Sequence, residues 1–559
     1  MTIIANGLVV DGTGASGFIG DVLIDGERIV EVVAHGGKPS ATAADASARV
    51  VDATGCTVAP GFIDAHSHSD AYLILEPDAP SKVTQGVTTE INGQCGGSVA
   101  PRYGEARLSS DWAALLGERL SWRSLGEYRE TLAAAKPAIN TVEFIGHNTL
   151  RSSVVGYAGR AATAEELASM QRLLERSLDE GGWGLTTGLI YQPGKYSTPA
   201  EVTALAKTAA AKGGYYATHM RSEGDKIEEA IDEVLDLVRA TGIRAEISHL
   251  KTSGARNWHK IDRVLEKIEG AVEKGKLLGS DRYPYCAAGT DLDIVLPDLA
   301  QEGGAPAEME RLQIPDYRLQ IIKEIDASPR DWSTVMIGGT WSEATKPFSG
   351  KTVAEILEGQ LKPARSLPSP APLKSRACPL SPFCHLSPFL DSYSGVNGAG
   401  ELIVSILEAD GCKTGAFFFG MCEENLAKIY SRPWIVPGSD ASLRAPWGPL
   451  GADHPHPRAY STMPEFYRRV RALGFSREAT IARMTSVPAD RFGIRNRGRL
   501  VRGAFADLVV FKEDEFKSTS TFAAPHSFAG GVKLTMVNGV IPYADGRFTG
   551  ERGGRFLER

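Results

Sequence analysis

Short apolar, β-branched runs recur along this chain, and each closes on a polar side chain. They occupy residues 58–68, 86–95, 140–147, 183–191, 214–219, 243–249, 278–285 and 434–440. Between many of them apolar residues return every three or four positions, as in 163–178, a spacing that lines up one side of a helix. Eight strands alternating with helices predict an α/β fold, a (β/α)8 TIM-like barrel in which the polar carboxyl ends of the strands meet at one mouth.

The two ends of the chain read differently. Residues 1–57 carry short alternating strands broken by Asp11-Gly12 and Asp25-Gly26, and residues 503–511 and 533–542 repeat that style. The expectation is a small β-sandwich formed by 1–57 and 491–559, flanking a barrel at 58–490 that holds an insertion at about 297–433. Within the insertion, residues 361–390 contain 7 prolines. That density forbids a regular helix, so a poorly ordered stretch is expected there, with Cys384 and His385 as solvated loop residues.

At 559 residues, 42% of them hydrophobic, the chain is long enough for a full barrel and a second domain. A formal charge of −7 from 61 basic and 68 acidic residues leaves no basic field to hold nucleic acid. No stretch approaches a membrane span, and the first residues lack a charged segment followed by a long apolar core, so a cytoplasmic protein is expected. The 7 cysteines are odd in number and scattered, which reads as reduced thiols and leaves Cys95 free to bind metal.

The chemistry collects at the strand ends. His66 and His68 are two apart in an extended run, so both project to one side and can share a metal ion. Alone, such a pair is as often two hydrogen-bonded surface histidines. Here Cys95, His219, His249 and Asp440 end other strands of the set, and six ligand-type residues in one topological position are hard to assign to solvated loops. His147 also closes a strand, and its ordinary reading is structural.

The segments Gly61-Phe-Ile-Asp-Ala-His-Ser-His-Ser-Asp70, Gly93-Gln-Cys-Gly-Gly-Ser-Val-Ala-Pro101, Tyr216-Ala-Thr-His-Met-Arg-Ser-Glu223, Ile247-Ser-His-Leu-Lys251, Tyr283-Pro-Tyr285 and Gly438-Ser-Asp-Ala441 together resemble the D-aminoacylase (N-acyl-D-amino-acid deacylase) branch of the amidohydrolase superfamily. The cysteine after the second strand is particular to that branch. The fourth strand lacks the lysine that bridges two metals in most other relatives.

The resemblance implies a tight Zn²⁺ held by Cys95, His219 and His249 with a fourth position for water. It also implies a second site, weaker or empty, at His66, His68 and Asp440, with Cys95 as a bridge. By the same resemblance, hydroxide generated at the zinc attacks the amide of a small-molecule N-acyl amino acid. Asp440 serves as general base and then acid, and Tyr191 steadies the oxyanion. Lys251, Tyr283 and Arg458 would grip the substrate's carboxylate. Residues 286–296 offer no arginine for an acidic side chain, so neutral or apolar D-residues are expected. Two other readings stay open. One is a cyclic-amide hydrolase of the dihydroorotase or hydantoinase kind, against which Cys95 and the missing lysine stand; the other is a non-catalytic scaffold on the same barrel, against which the full ligand set stands.

Overall fold

The computed structural model describes residues 1–35, 48–108, 110–275, 277, 279–361 and 398–559. The proline-rich stretch beyond residue 361, with Cys384 and His385, lies outside the described residues. Contacts divide the chain into two compact units, one formed by Met1–Cys286 with Gly420–Arg559 and the other by Ala287–Phe419.

The first unit opens with β1 (Thr2–Val9), β2 (Phe18–Asp25), β3 (Arg28–Ala34), β4 (Arg49–Asp52) and β5 (Thr57–Pro60). Barrel strands follow: β6 (Phe62–Asp64), β7 (Val87–Asn92), β8 (Asn140–Glu143), β9 (Ile145–Gly146), β10 (Gly184–Gly188), β11 (Tyr215–His219), β12 (Arg244–Ile247) and β13 (Gly279–Arg282). In the second unit β14 (Ala288–Asp291), β15 (Val335–Ile337) and β16 (Gly415–Phe418) form an antiparallel sheet in the order β14-β16-β15, sharing an apolar cluster with Leu312, Ile403 and Leu407. The chain re-enters the first unit, adds β17 (Ile435–Pro437), and ends in β18 (Leu508–Phe511), β19 (Val532–Val537), β20 (Val540–Ala544) and β21 (Arg547–Phe548).

Parallel pairing runs through β6-β7-β8 and through β9-β10-β11-β12-β13-β17. The strands β8 and β9 are two halves of one strand on either side of Phe144. The Ala65 amide donates to the Pro437 carbonyl (3.1 Å), and Ser67 bridges Ala441, so β17 returns to β6. The circuit of eight is the (β/α)8 TIM-like barrel that the periodicity implies. Ile63, Val142, Trp183, Tyr215, Val436 and Phe492 pack as an apolar layer inside it. The helix Ala164–Asp179 starts at Thr163, whose hydroxyl accepts from the Glu166 amide while the Glu166 side chain accepts from the Thr163 amide. This capping box fixes the helix start, and Met170, Leu174 and Leu178 form its buried face.

The two ends of the chain share one nine-stranded sheet in the order β21-β20-β19-β18-β5-β1-β2-β3, with β4 on β1. The meeting point is β5, parallel to β1 and antiparallel to β18. Ile4, Val22, Val58, Leu508 and Met536 form the core of this sheet. Among the described residues no helix is long and apolar enough to cross a membrane.

A buried ammonium locks the seam where β17 meets β6. Lys82 Nζ lies 2.8 Å from Asp64 Oδ2 and 3.3 Å from Glu90 Oε2, and donates to Ser67 Oγ (3.0 Å) and the Ala441 carbonyl (3.3 Å). Asp64 accepts from the Ser439 amide (2.8 Å), and Glu90 accepts from the Ser67 and Ser69 hydroxyls, each at 2.8 Å. One cation therefore serves carboxylates from the first and second barrel strands and a carbonyl beside the eighth. Lys82→Met fills the stem's volume but strands two buried carboxylates, and is expected to cost about 3–5 kcal/mol. Chemical unfolding reads that loss; a change below about 1 kcal/mol, the size of an exposed pair, would mean that backbone pairing alone holds the seam.

Candidate metal centre

Strand geometry brings the ligand-type residues to one end of the barrel. His66 and His68 continue the line of β6, with ring centroids 5.2 Å apart. Cys95 sits in the turn after β7, His219 is the last residue of β11, His249 lies two residues past β12, and Asp440 lies three past β17. Three of them have left-handed backbones: φ is +52° at Cys95, +35° at His249 and +50° at Asp440. Such conformations cost roughly 1–3 kcal/mol each in a residue with a side chain and survive only where surrounding contacts hold them. Glycines make room for this crowding. A Cβ at Gly188 would fall 2.0 Å from the Cys95 carbonyl oxygen, and one at Gly438 would fall 2.6 Å from both Asp281 Oδ1 and His66 Cβ.

The sulfur of Cys95 lies 3.3 Å from His66 Nε2 and 3.3 Å from His249 Nε2. Asp440 Oδ1 is 3.1 Å from His68 Nε2 and 3.4 Å from His66 Nε2, while its Oδ2 accepts from Arg458 at 2.7 Å. Ligand atoms of His66, Cys95, His249 and Asp440 all fall within 4.8 Å of one another, and the same holds for His219, Glu223 and His249. His249 belongs to both groups. The centroids of the His219 and His249 rings are 4.5 Å apart, and neither nitrogen of the buried His219 makes a hydrogen bond.

Charges in this cluster balance one another. Burial alone would push the Cys95 thiol up, but the charges of His66 and His249, with a hydrogen bond from His249, hold it well below the ordinary thiol range. Burial likewise opposes ionisation of Asp440, and Arg458 and His249, helped by hydrogen bonds from His66 and His68, keep it well below the usual carboxylate range. Burial lowers His68, yet its bonds to Asp440 and Cys95 lift it to about 9. His249 reaches about 10, because Cys95, Glu223 and Asp440 outweigh burial and Lys251. A thiolate, carboxylates and imidazoles converging in a buried space, one imidazole with both nitrogens unbonded, form a donor set that fits a borderline-soft divalent ion such as zinc.

The remaining expected site residues surround the cluster. The ring of Tyr191 stands edge-on to His219, with centroids 5.0 Å apart. Lys251 donates to Glu223 and lies 2.8 Å from His249 Nδ1. The guanidinium of Arg458 lies over the Tyr283 ring at 4.6 Å, and the buried Tyr283 hydroxyl has no hydrogen-bond partner. His147 points into a different contact: its Nε2 is 2.9 Å from Glu201, which also holds Arg151.

Two carboxylates that sequence reasoning did not single out shape the centre. Glu223 Oε1 lies 2.9 Å from His249 Nδ1, and its Oε2 lies 3.5 Å from His219 Nε2. Asp281 reaches His66 Nδ1 at 3.2 Å and accepts from the His249 amide at 3.0 Å. Both orient ligand imidazoles from behind. A signal for Asp281 exists, since a carboxylate inside the otherwise buried β13, two residues before Tyr283, faces the same side as that tyrosine.

Comparison with known proteins agrees with this geometry. The model of the amidohydrolase family matches residues 49–372. N-acyl-D-glutamate deacylase of Alcaligenes xylosoxydans xylosoxydans is 33% identical over 100% of this chain and 96% of its own length, and the D-aminoacylase of the same organism is 31% identical over 100% and 97%. The solved structure of N-acyl-D-glutamate deacylase from Bordetella bronchiseptica, complexed with zinc and a phosphonate mimic of the tetrahedral intermediate, superposes with a TM-score of 0.77 at 29% identity, covering 100% of this chain and 99% of that one. A family model spanning more than half of the sequence, relatives aligned end to end and a barrel mouth ringed by thiolate, imidazoles and carboxylate together place the chain in the amidohydrolase family, within its D-aminoacylase branch.

Proposed function

We propose that this protein hydrolyses the amide bond of N-acyl-D-amino acids, giving a carboxylate and a free D-amino acid. One observation carries the reading: Asp440 is ionised with one oxygen on the ligand imidazoles and the other on Arg458, which itself covers a tyrosine with an unbonded hydroxyl. That pairing supports a proton acceptor working beside a carboxylate-binding group at one mouth. Stereochemistry is taken from the relatives, which act on D-amino acid derivatives by name.

Cys95, His219 and His249 are the residues suited to hold a tight ion, with His66, His68 and Asp440 for a second. Bound there, a divalent ion supplies a Lewis acid for the amide carbonyl and an acidified water. Asp440 takes the proton of the attacking water as its oxygen adds to the carbonyl carbon. It then gives that proton to the amine nitrogen as the C–N bond breaks. Tyr191, beside His219, donates to the carbonyl oxygen as negative charge develops there. Lys251, Tyr283 and Arg458 bind the substrate's carboxylate. Arg458 serves two anions, so its engagement by the substrate weakens its hold on Asp440 and makes that carboxylate more basic when a proton must move.

Residues 286–296 contain no arginine to call for an acidic side chain, and we assign neutral or apolar D-residues as the preferred substrates. We also place the enzyme in the cytoplasm, in keeping with unpaired thiols at Cys56, Cys95, Cys286, Cys412 and Cys422. Its partners are then small molecules, not nucleic acid or membrane.

With zinc supplied, N-acetyl-D-leucine is expected to release free amino acid, N-acetyl-L-leucine to release none, and N-acetyl-D-glutamate to react more slowly than the D-leucine derivative. Equal release from the L-enantiomer, or faster ring opening of a hydantoin, would reverse the assignment. Asp440→Asn should keep its zinc by metal analysis and lose about 10²–10⁴-fold in kcat; an unchanged kcat would remove Asp440 from proton transfer. The pH dependence of metal binding follows from the raised imidazoles. At pH 7, below about 9 and about 10, His68 and His249 carry protons before an ion binds. Zinc must displace them, so affinity should rise with pH and protons should be released. Calorimetry in buffers of different ionisation enthalpy should count at least one proton per ion at pH 7, and zero would contradict the charge pattern.

A further inference from the structure

The barrel floor carries a cavity of about 840 Å³ lined by Arg244, Arg495, Arg497, Arg499, Arg502 and Arg559. It lies at the amino ends of β11 and β12, where Tyr215 and Arg244 begin their strands, whereas His219 and His249 lie at or past the carboxyl ends. Tyr215 and His219 are four residues apart on one extended strand, about 13 Å, so the cavity is separate from the metal centre.

The balance of charge in this cavity is one-sided. Asp490 is the one acidic side chain among its described lining residues, and Arg499 holds it at 2.8 Å; Arg497 is paired with the buried Asp507. The other four guanidinium groups make no ion pair among the described residues. Arg244 lies over the Tyr215 ring at 3.8 Å and donates to the Gly213 carbonyl, and Arg559 donates to the Lys212 carbonyl. Arg495 and Arg502 are exposed, at the ends of a loop between the helix Ser486–Phe492 and β18. Partial burial lowers the pKa of Arg559, and Arg244 adds to this against the opposing charges of Tyr215 and Asp179. In a chain whose net charge is −7, four guanidinium groups that make no ion pair among the described residues and gather around one concavity are unusual. Planar forks of N–H donors match the oxygens of phosphate, and several of them match a polyphosphate better than a single carboxylate.

We propose that this cavity binds a polyphosphate-bearing small molecule, through Arg244, Arg495, Arg502 and Arg559. The chemistry is shared by inorganic polyphosphate and by a nucleoside triphosphate, and both serve as probes.

The full-length, zinc-loaded protein is titrated calorimetrically with tripolyphosphate and with ATP, alongside Arg495→Gln/Arg502→Gln and Arg495→Glu/Arg502→Glu. Neither residue belongs to the metal centre, so binding of a probe to zinc is common to all three proteins and subtracts out. One saturable site per chain is expected in the unaltered protein. It should weaken at least tenfold in the glutamine pair and further in the glutamate pair, with deacylation and thermal midpoint unchanged, and it should weaken as salt is raised. Equal affinity for the two probes identifies a site that reads phosphates alone; tighter ATP binding adds a contact to the nucleoside. Absence of saturation by either probe, or affinity retained in the glutamate pair, overturns the proposal.

Discussion

The sulfur of Cys95 is the atom around which the barrel mouth is arranged. It touches imidazoles from the first and sixth barrel strands, 3.3 Å from each, and so spans a barrel that backbone hydrogen bonds join only between neighbouring strands. An ionised thiol in a buried place requires compensating charge, and His66 and His249 supply it. The left-handed backbone at Cys95, and the glycine that must face its carbonyl at position 188, follow from bringing the chain close enough for that contact. The fourth barrel strand, β10, contains no lysine, and the thiolate stands between the two imidazoles.

Behind this centre two of the imidazoles, His66 and His249, are each held by a carboxylate that is tied to something else. Asp281 joins the His66 ring to the His249 backbone, and Glu223 joins His249 to Lys251. A displacement of either carboxylate would shift two groups at once. The first metal shell therefore inherits the rigidity of β13 and of the turn after β11, as expected where ligand geometry is set from behind. Lower in the barrel Lys82 plays the corresponding part for Asp64 and Glu90, and Arg491 does so for Glu246.

Much of this was legible before any coordinates. The barrel strands show themselves as apolar, β-branched runs that close on His66, Cys95, His219, His249 or Asp440, since the carboxyl ends of the strands meet at one mouth. The helix at 163–178 was marked by apolar residues returning every three or four positions. Glu223 and Asp281 were harder to recognise. Glu223 lies in a turn, where charged residues are common and uninformative, and its contact with His249 joins residues 26 apart that no local period relates. Asp281 is one of several carboxylates within buried strands, along with Glu90, Glu143 and Glu246, and only three-dimensional contacts separate those that orient a ligand from those that close the barrel. The excess of guanidinium at the floor was hidden for a different reason: Arg244 and Arg559 lie far along the chain from the arginines of residues 495–502, and only the fold gathers them around one concavity.

Arg458 shows why the choice between two cations matters at such a site. A lysine there could neutralise Asp440, but its ammonium is a point charge on a flexible stem and has no plane to orient. The guanidinium of Arg458 is planar, and stacking over Tyr283 sets that plane, while one of its edges donates to Asp440. A guanidinium carries five N–H groups in a fixed fork, the geometry on which the proposed grip on a substrate carboxylate draws. On the proposed assignment Arg458 joins the proton acceptor Asp440 to the anchor for the substrate's carboxylate. The short span between them would suit an α-amino acid acylated on nitrogen, in which the amide nitrogen and the carboxylate are attached to one carbon, and would favour that compact skeleton independently of any side-chain pocket.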